Sequence, residues 1–137
     1  MVNILIITHG EFGAYLIEAA ETIVGVQDRG VKAAAISPRM SVPDLKASLV
    51  SVLEELKSED GLIILTDMVG GTPTNIIFPL VKDIPQVEIL SGVNLYMLVV
   101  AFSHRATLGL EALTRKMLED GQKSIRNIKT MLASQVK

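Results

Sequence analysis

Four short runs dominated by aliphatic and β-branched residues punctuate the chain: Ile4–Ile7, Val31–Ile36, Gly61–Thr66 and Val87–Leu90. The first, Ile-Leu-Ile-Ile, shows no polar alternation, as expected of a strand buried on both faces. Such strands belong to parallel sheets sandwiched between helices. The intervening segments carry the helical period. Phe12, Leu16, Ala19, Ala20 and Ile23 recur at helical spacing, and Gly25 marks a stop. Leu45, Leu49, Val52, Leu53 and Leu56 form a second apolar face, opened by a Ser41/Asp44 capping pattern. Thr72 is read as the cap of a short third helix with Pro73 as its first residue, and Pro79 is expected to end or kink it. Two further helical stretches cover Leu95–Ser103 and Leu108–Leu132, with Gly121 as a candidate break. Strand and helix alternate with short connections. The expectation is an α/β fold: an open, mostly parallel four-stranded sheet with helices on both faces.

Composition narrows what such a fold can do. Hydrophobic residues make up 49% of the 137, but aromatics only 4%. That bias speaks against an all-β sandwich and against modules that stack bases on aromatic platforms. Thirteen Lys and Arg oppose fifteen Asp and Glu with no basic run, so nucleic acid is not an expected partner. The absence of cysteine excludes a thiolate nucleophile, a disulfide framework and an Fe–S site, and fits a reducing compartment. Met1-Val2-Asn3-Ile4 lacks the cationic start of a signal peptide. Mean hydropathy is positive at +0.42, yet every apolar stretch is interrupted short of the roughly 20 residues of a membrane span. A soluble, cytoplasmic protein is expected.

Ligands of open α/β sheets bind beyond the carboxyl ends of the strands. There the sequence places His9-Gly10, then Pro38-Arg39-Met40, then Asp67 with Gly70-Gly71-Thr72-Pro73, and finally Gly92-Val93-Asn94, whose Asn94 also suits the cap of the next helix. If the first and third strands are neighbours, His9 and Asp67 converge. A carboxylate that accepts from one ring nitrogen fixes the tautomer and frees the other as base or nucleophile. The same pair also suits a structural histidine at a strand end, and position alone does not choose. Two glycines before a helix start allow close backbone approach to an anion, though an ordinary capped turn has the same residues. Neither a GxGxxG nor a GxxxxGK[ST] motif is present. His104, beside Arg105 at a helix end, reads as a surface or capping residue. Two such differently placed histidines make zinc improbable, and no metal or cofactor is expected. Met40 and Met68 are candidate apolar contacts for a partner, though plain packing is the commoner role of such residues.

Taken in order, Thr8-His9-Gly10, then Asp67-Met68-Val69-Gly70-Gly71-Thr72-Pro73, then Ser91-Gly92-Val93-Asn94-Leu95 with Met97-Leu98 resemble the IIA component of the mannose family of bacterial sugar phosphotransferase systems. The resemblance spans about residues 2 to 125. It implies a single IIA-type phosphocarrier domain over residues 1–137 and a phosphotransferase activity in sugar uptake. On this basis His9 matches the histidine that takes a phosphoryl group from phospho-HPr and passes it to a IIB component. Asp67 matches its orienting carboxylate. Gly70, Gly71 and Thr72 match the turn that receives the phosphoryl oxygens. A homodimer is implied, with the membrane reached only through the sugar permease components; no IIB domain or linker follows in the sequence, so IIB is expected on a separate chain. One departure concerns the C-terminal strand that family members exchange between subunits, because Ile125–Lys137 reads here as helix. Three alternatives stand beside the transport role: a regulatory phosphoprotein using the same His9 chemistry, a non-catalytic anion-binding module, and a receiver domain. The histidine where a receiver needs an acidic cluster counts against the last.

Overall fold

A computed structural model describes residues 1–135. The chain runs β1 (Asn3–His9), α1 (Phe12–Val24), β2 (Val31–Ile36), α2 (Val42–Leu56), β3 (Leu62–Thr66), α3 (Thr72–Val81), β4 (Val87–Ser91), α4 (Leu95–His104), α5 (Leu110–Lys123) and α6 (Ile128–Ala133). The strands form one four-stranded sheet in the order β2-β1-β3-β4, and each neighbouring pair is parallel. Helices cover both faces, so the α/β architecture is the expected one.

The unbroken apolar runs follow from this burial. Alternate strand residues face opposite sides of a sheet. Ile4 and Ile6 of β1, with Ile63 and Leu65 of β3, join a core against Ala20 of α1, Leu98 of α4 and Met117 of α5. Leu5, Ile7, Leu62 and Ile64 join a second core against Leu45 and Leu49 of α2 and Ile77 and Val81 of α3. Fully burying one such side chain contributes about 1.5–3 kcal/mol. The two central strands therefore hold both layers together.

Their connections leave in opposite directions. From β1 the chain passes outward to β2, and from β3 it passes outward to β4 on the other side. This switch point opens a crevice at the carboxyl ends of β1 and β3.

Several local expectations hold. Ser41 caps α2 by accepting from Asp44 N at 3.2 Å, Asn94 caps α4 by accepting from Met97 N at 3.0 Å, and Gly25 closes α1. Others are corrected. α3 begins at Thr72, so Gly71 is its cap and Thr72 its first residue; the cap makes no side-chain hydrogen bond. Pro79 does not end α3, which continues to Val81 because Ile77 and Val81 on either side of it are buried in the core. The helical stretch over 108–132 is split into two, α5 and α6, but the break falls after Lys123 and not at Gly121. Gly121 lies inside α5. A Cβ there would meet Met97 Cγ at 2.5 Å, so this glycine permits close helix packing and is not a break. Of the expected helical tail 125–137, α6 is the helical part; Val136 and Lys137 lie outside the described residues. Phe12 and Ile23, at the two ends of the α1 face, are exposed.

Candidate active site

The register of β1 against β3 sets Ile7 beside Thr66. The next residues of both strands therefore emerge together at the crevice. His9 N donates to Asp67 Oδ2 at 2.9 Å, and His9 Nδ1 lies 2.7 Å from the same oxygen. Met68 N donates to Asp67 Oδ1 at 3.0 Å. Both carboxylate oxygens are thus engaged. The Asp67 side chain is 11% exposed, whereas that of His9 is 47% exposed. Burial pushes the Asp67 carboxyl up. The hydrogen bonds from the His9 amide and ring, the ring's charge and the residue's own backbone outweigh it, and the pKa falls below the usual 3.8. An ionised carboxylate only accepts, so in the neutral ring the proton sits on Nδ1 and Nε2 keeps its lone pair.

The Nε2 edge of the ring faces the start of α3. A Cβ on Gly71 would lie 2.9 Å from His9 Cε1 and 3.3 Å from Nε2. The Gly71 backbone is extended, with φ −88°, so what demands glycine is this proximity. Gly70 differs: it has open space around it but φ +80°, a left-handed turn that favours glycine. The first helical bond of α3 runs from Asn75 N to Gly71 O. The amides of Thr72 and Thr74 therefore have no helical partner, and Pro73 has no N–H. Together with the helix dipole they form an anion-receptive end.

The turn after His9 is held from behind. Buried Thr8 donates through Oγ1 to Gly10 O at 2.9 Å and accepts from Gly13 N at 3.2 Å. Phe12, Met40, Met68 and Val69, all in segments that leave this end of the sheet, are exposed apolar residues. Asn94 caps α4, and His104 sits in the last turn of that helix, as expected. Among the described residues, no group of three or more His, Cys, Asp or Glu is placed to hold a metal ion, and no helix is long and apolar enough to cross a membrane. Two groups escaped the sequence reading. Thr74 bonds to Met68 O and Thr66, and Arg105 is buried at the opposite end of the sheet. Neither residue type nor spacing marks them out.

A ring held by a carboxylate and facing an anion-receptive helix end is the equipment of nucleophilic group transfer. Comparison with known proteins gives that class a family. Residues 3–118 match the family described as PTS system fructose IIA component, and the chain belongs to it. The chain is 25% identical over 126 residues to the PTS system fructose-specific EIIA component of Bacillus subtilis, covering 92% of this chain and 86% of that protein. It is 28% identical over 129 residues to the PTS system mannose-specific EIIAB component of Escherichia coli, where it spans only 40% of the longer protein. The PTS IIA protein associated with the fucose utilization operon of Streptococcus pneumoniae superposes with a TM-score of 0.84 at 28% identity, covering 96% of each chain. The fold and family together define a IIA-type phosphoryl-transfer domain. The relatives carry both fructose and mannose specificities, so they do not single out the mannose family that the motifs resemble.

Proposed function

We propose that residues 1–137 act as a single phosphohistidine carrier domain in the cytoplasm. His9 takes a phosphoryl group from phospho-HPr and passes it to a IIB component during sugar uptake. One observation carries this: the 2.7 Å contact of His9 Nδ1 with Asp67, while the other ring edge packs against Gly71 at the start of α3.

In the proposed step the Nε2 lone pair attacks phosphorus. A nitrogen–phosphorus bond forms on His9 as the bond to the donor breaks, its electron pair returning to the donor. A ring bearing a proton on Nδ1 and a phosphoryl group on Nε2 is cationic, and the Asp67 carboxylate stabilises that charge. The turn of Gly70, Gly71 and Thr72 supplies amides to the phosphoryl oxygens. Transfer onward is the same step with a new acceptor. Exposed Phe12, Met40, Met68 and Val69 offer apolar surface for the partner proteins. A homodimer is part of the proposal; the outer edge of β4 and exposed Ile125, Ile128 and Leu132 are surface that a second copy would cover.

Incubation with phosphoenolpyruvate, Enzyme I and HPr is expected to yield an acid-labile, base-stable phosphoprotein, and His9→Ala is expected to abolish it. Continued labelling of that variant would remove His9 from the mechanism.

A further inference from the structure

The loop between β3 and α3 carries both partners of His9, yet little apolar packing holds it. Met68 is 55% exposed and Val69 is 79% exposed, and Gly70 adds a conformationally permissive link. A hydroxyl ties it down instead. Thr74, in the first turn of α3, donates through Oγ1 to Met68 O at 3.2 Å. Among the described residues this is the one side-chain hydrogen bond from α3 to residues 67–71. A hydroxyl has a single proton, and Thr74 has spent it on Met68. The 3.4 Å contact between Thr74 Oγ1 and Thr66 Oγ1 therefore has Thr66 as donor. Thr66 is fully buried at the end of β3. A directed chain thus runs from the sheet, through α3, to the loop.

Met68 is the link to the chemistry. Its carbonyl is held by Thr74 and its N–H is held on Asp67 Oδ1. With Met68 fixed at both polar groups, the Asp67 carboxylate cannot turn without losing a bond, and Oδ2 stays on His9 Nδ1.

We propose that Thr74 is a positioning residue for His9, acting through the Met68 backbone and the Asp67 carboxylate. The proposal deepens the phosphocarrier reading and rests on it. The hydrogen bonds of the Thr74 hydroxyl go to Met68 O and Thr66 and not to the His9 ring, so the proposed role of that hydroxyl is one of geometry.

Thr74→Val keeps the shape and the backbone amide but removes the hydroxyl; Thr74→Ser restores it. Acceptance of a phosphoryl group from phospho-HPr is expected to slow about 10-fold in Thr74→Val and to return to within about twofold of the original rate in Thr74→Ser. Thr66→Val, which breaks the more distant link, is expected to slow it about threefold. The ring ¹⁵N shifts of His9, with His104 as internal reference, are expected to change from a single Nδ1–H tautomer to a mixture in Thr74→Val, with the fold retained by far-UV circular dichroism. Native shifts in Thr74→Val overturn the proposal whatever the rate, because a bond that serves only the loop would leave the ring unmoved. An unchanged rate, or failure of Thr74→Ser to restore it, overturns it as well. The ring shifts need no phosphoryl donor. If the unaltered protein accepts no phosphoryl group while Thr74→Val still mixes the tautomers, the carrier reading fails and the positioning of His9 by Thr74 stands.

Discussion

The two ends of the sheet treat polar groups in opposite ways. At the amino end of the strands, Arg105 is only 2% exposed. Its Nε donates to Val2 O at 2.8 Å and its Nη1 to Gln27 Oε1 at 3.1 Å. Asn3 Nδ2 donates to Leu56 O at 2.7 Å. Gly30, at φ +73°, admits these groups so closely that a Cβ there would lie 2.1 Å from Asn3 Oδ1 and 2.5 Å from Arg105 Nη2. Burial pulls the Arg105 pKa down, but a guanidinium starts high enough to stay charged. At the carboxyl end, His9 keeps Nε2 free, and the loop beside it is exposed. Both ends use side chains against backbone. One spends its polar groups to fasten the chain, while the other holds a reactive nitrogen available. β1 runs through both, so a single strand joins the fastened end to the open one.

Substitutions can break this division or sharpen it. The largest effect on chemistry is expected from Asp67→Asn. The amide keeps the shape but not the preference for Nδ1–H, so phosphoryl acceptance should fall by about 100-fold or more with the fold intact. Stopped-flow or quench-flow transfer from phospho-HPr measures it, and an unchanged rate would take Asp67 out of the mechanism. Arg105→Met is the matching change at the other end. It leaves the Val2 carbonyl and the Gln27 amide short of a partner and should lower stability by about 2–4 kcal/mol in urea unfolding. The transfer rate per folded molecule should not change; a slower rate at full stability would show that the two ends are coupled.

Gly71→Ala is expected to act on the ring by contact alone, slowing transfer about 10-fold with stability nearly unaltered. Gly70→Ala should do the converse, costing about 1–2 kcal/mol of stability through its left-handed backbone. If both variants behave alike, the distinction drawn between the two glycines is wrong. The smallest effect is on acid stability. The Asp67 pKa is lower folded than its usual 3.8, so its contribution is complete above the unfolded pKa and is lost as pH falls through the folded one. Urea midpoints of the native protein and Asp67→Asn should therefore differ most above about pH 4 and converge in stronger acid. A gap that persists undiminished to about pH 2 would contradict the pKa direction.

Much of the site was legible because its parts lie at strand ends. His9, Asp67 and the Gly70-Gly71-Thr72 turn each follow an apolar run, and a parallel sheet gathers such positions at one edge. The helix cap was misplaced by one residue. Thr72 has the better capping side chain, but the ring of His9 occupies the space where Gly71 must turn. Gly121 looked like a break for a similar reason: its purpose is the approach of Met97, from another helix. Thr74 and Arg105 gave no local sign. A threonine in a first helical turn and an arginine after an apolar helix are ordinary residues until a partner arrives from elsewhere in the chain.

The sequence by itself determined the strands and helices, the two-sided burial that makes the sheet parallel, and the order in which histidine, carboxylate and glycine turn appear. These are carried by periodicities of two and 3.6 residues and by cap and turn residues, all of which act between near neighbours. The tertiary structure alone decided that β1 lies beside β3. That adjacency brings His9 to Asp67 across 58 residues of sequence and Arg105 to Val2 across 103. Such contacts come from how the crossovers pack both sheet faces, a property of the assembled layers that no short window of residues contains.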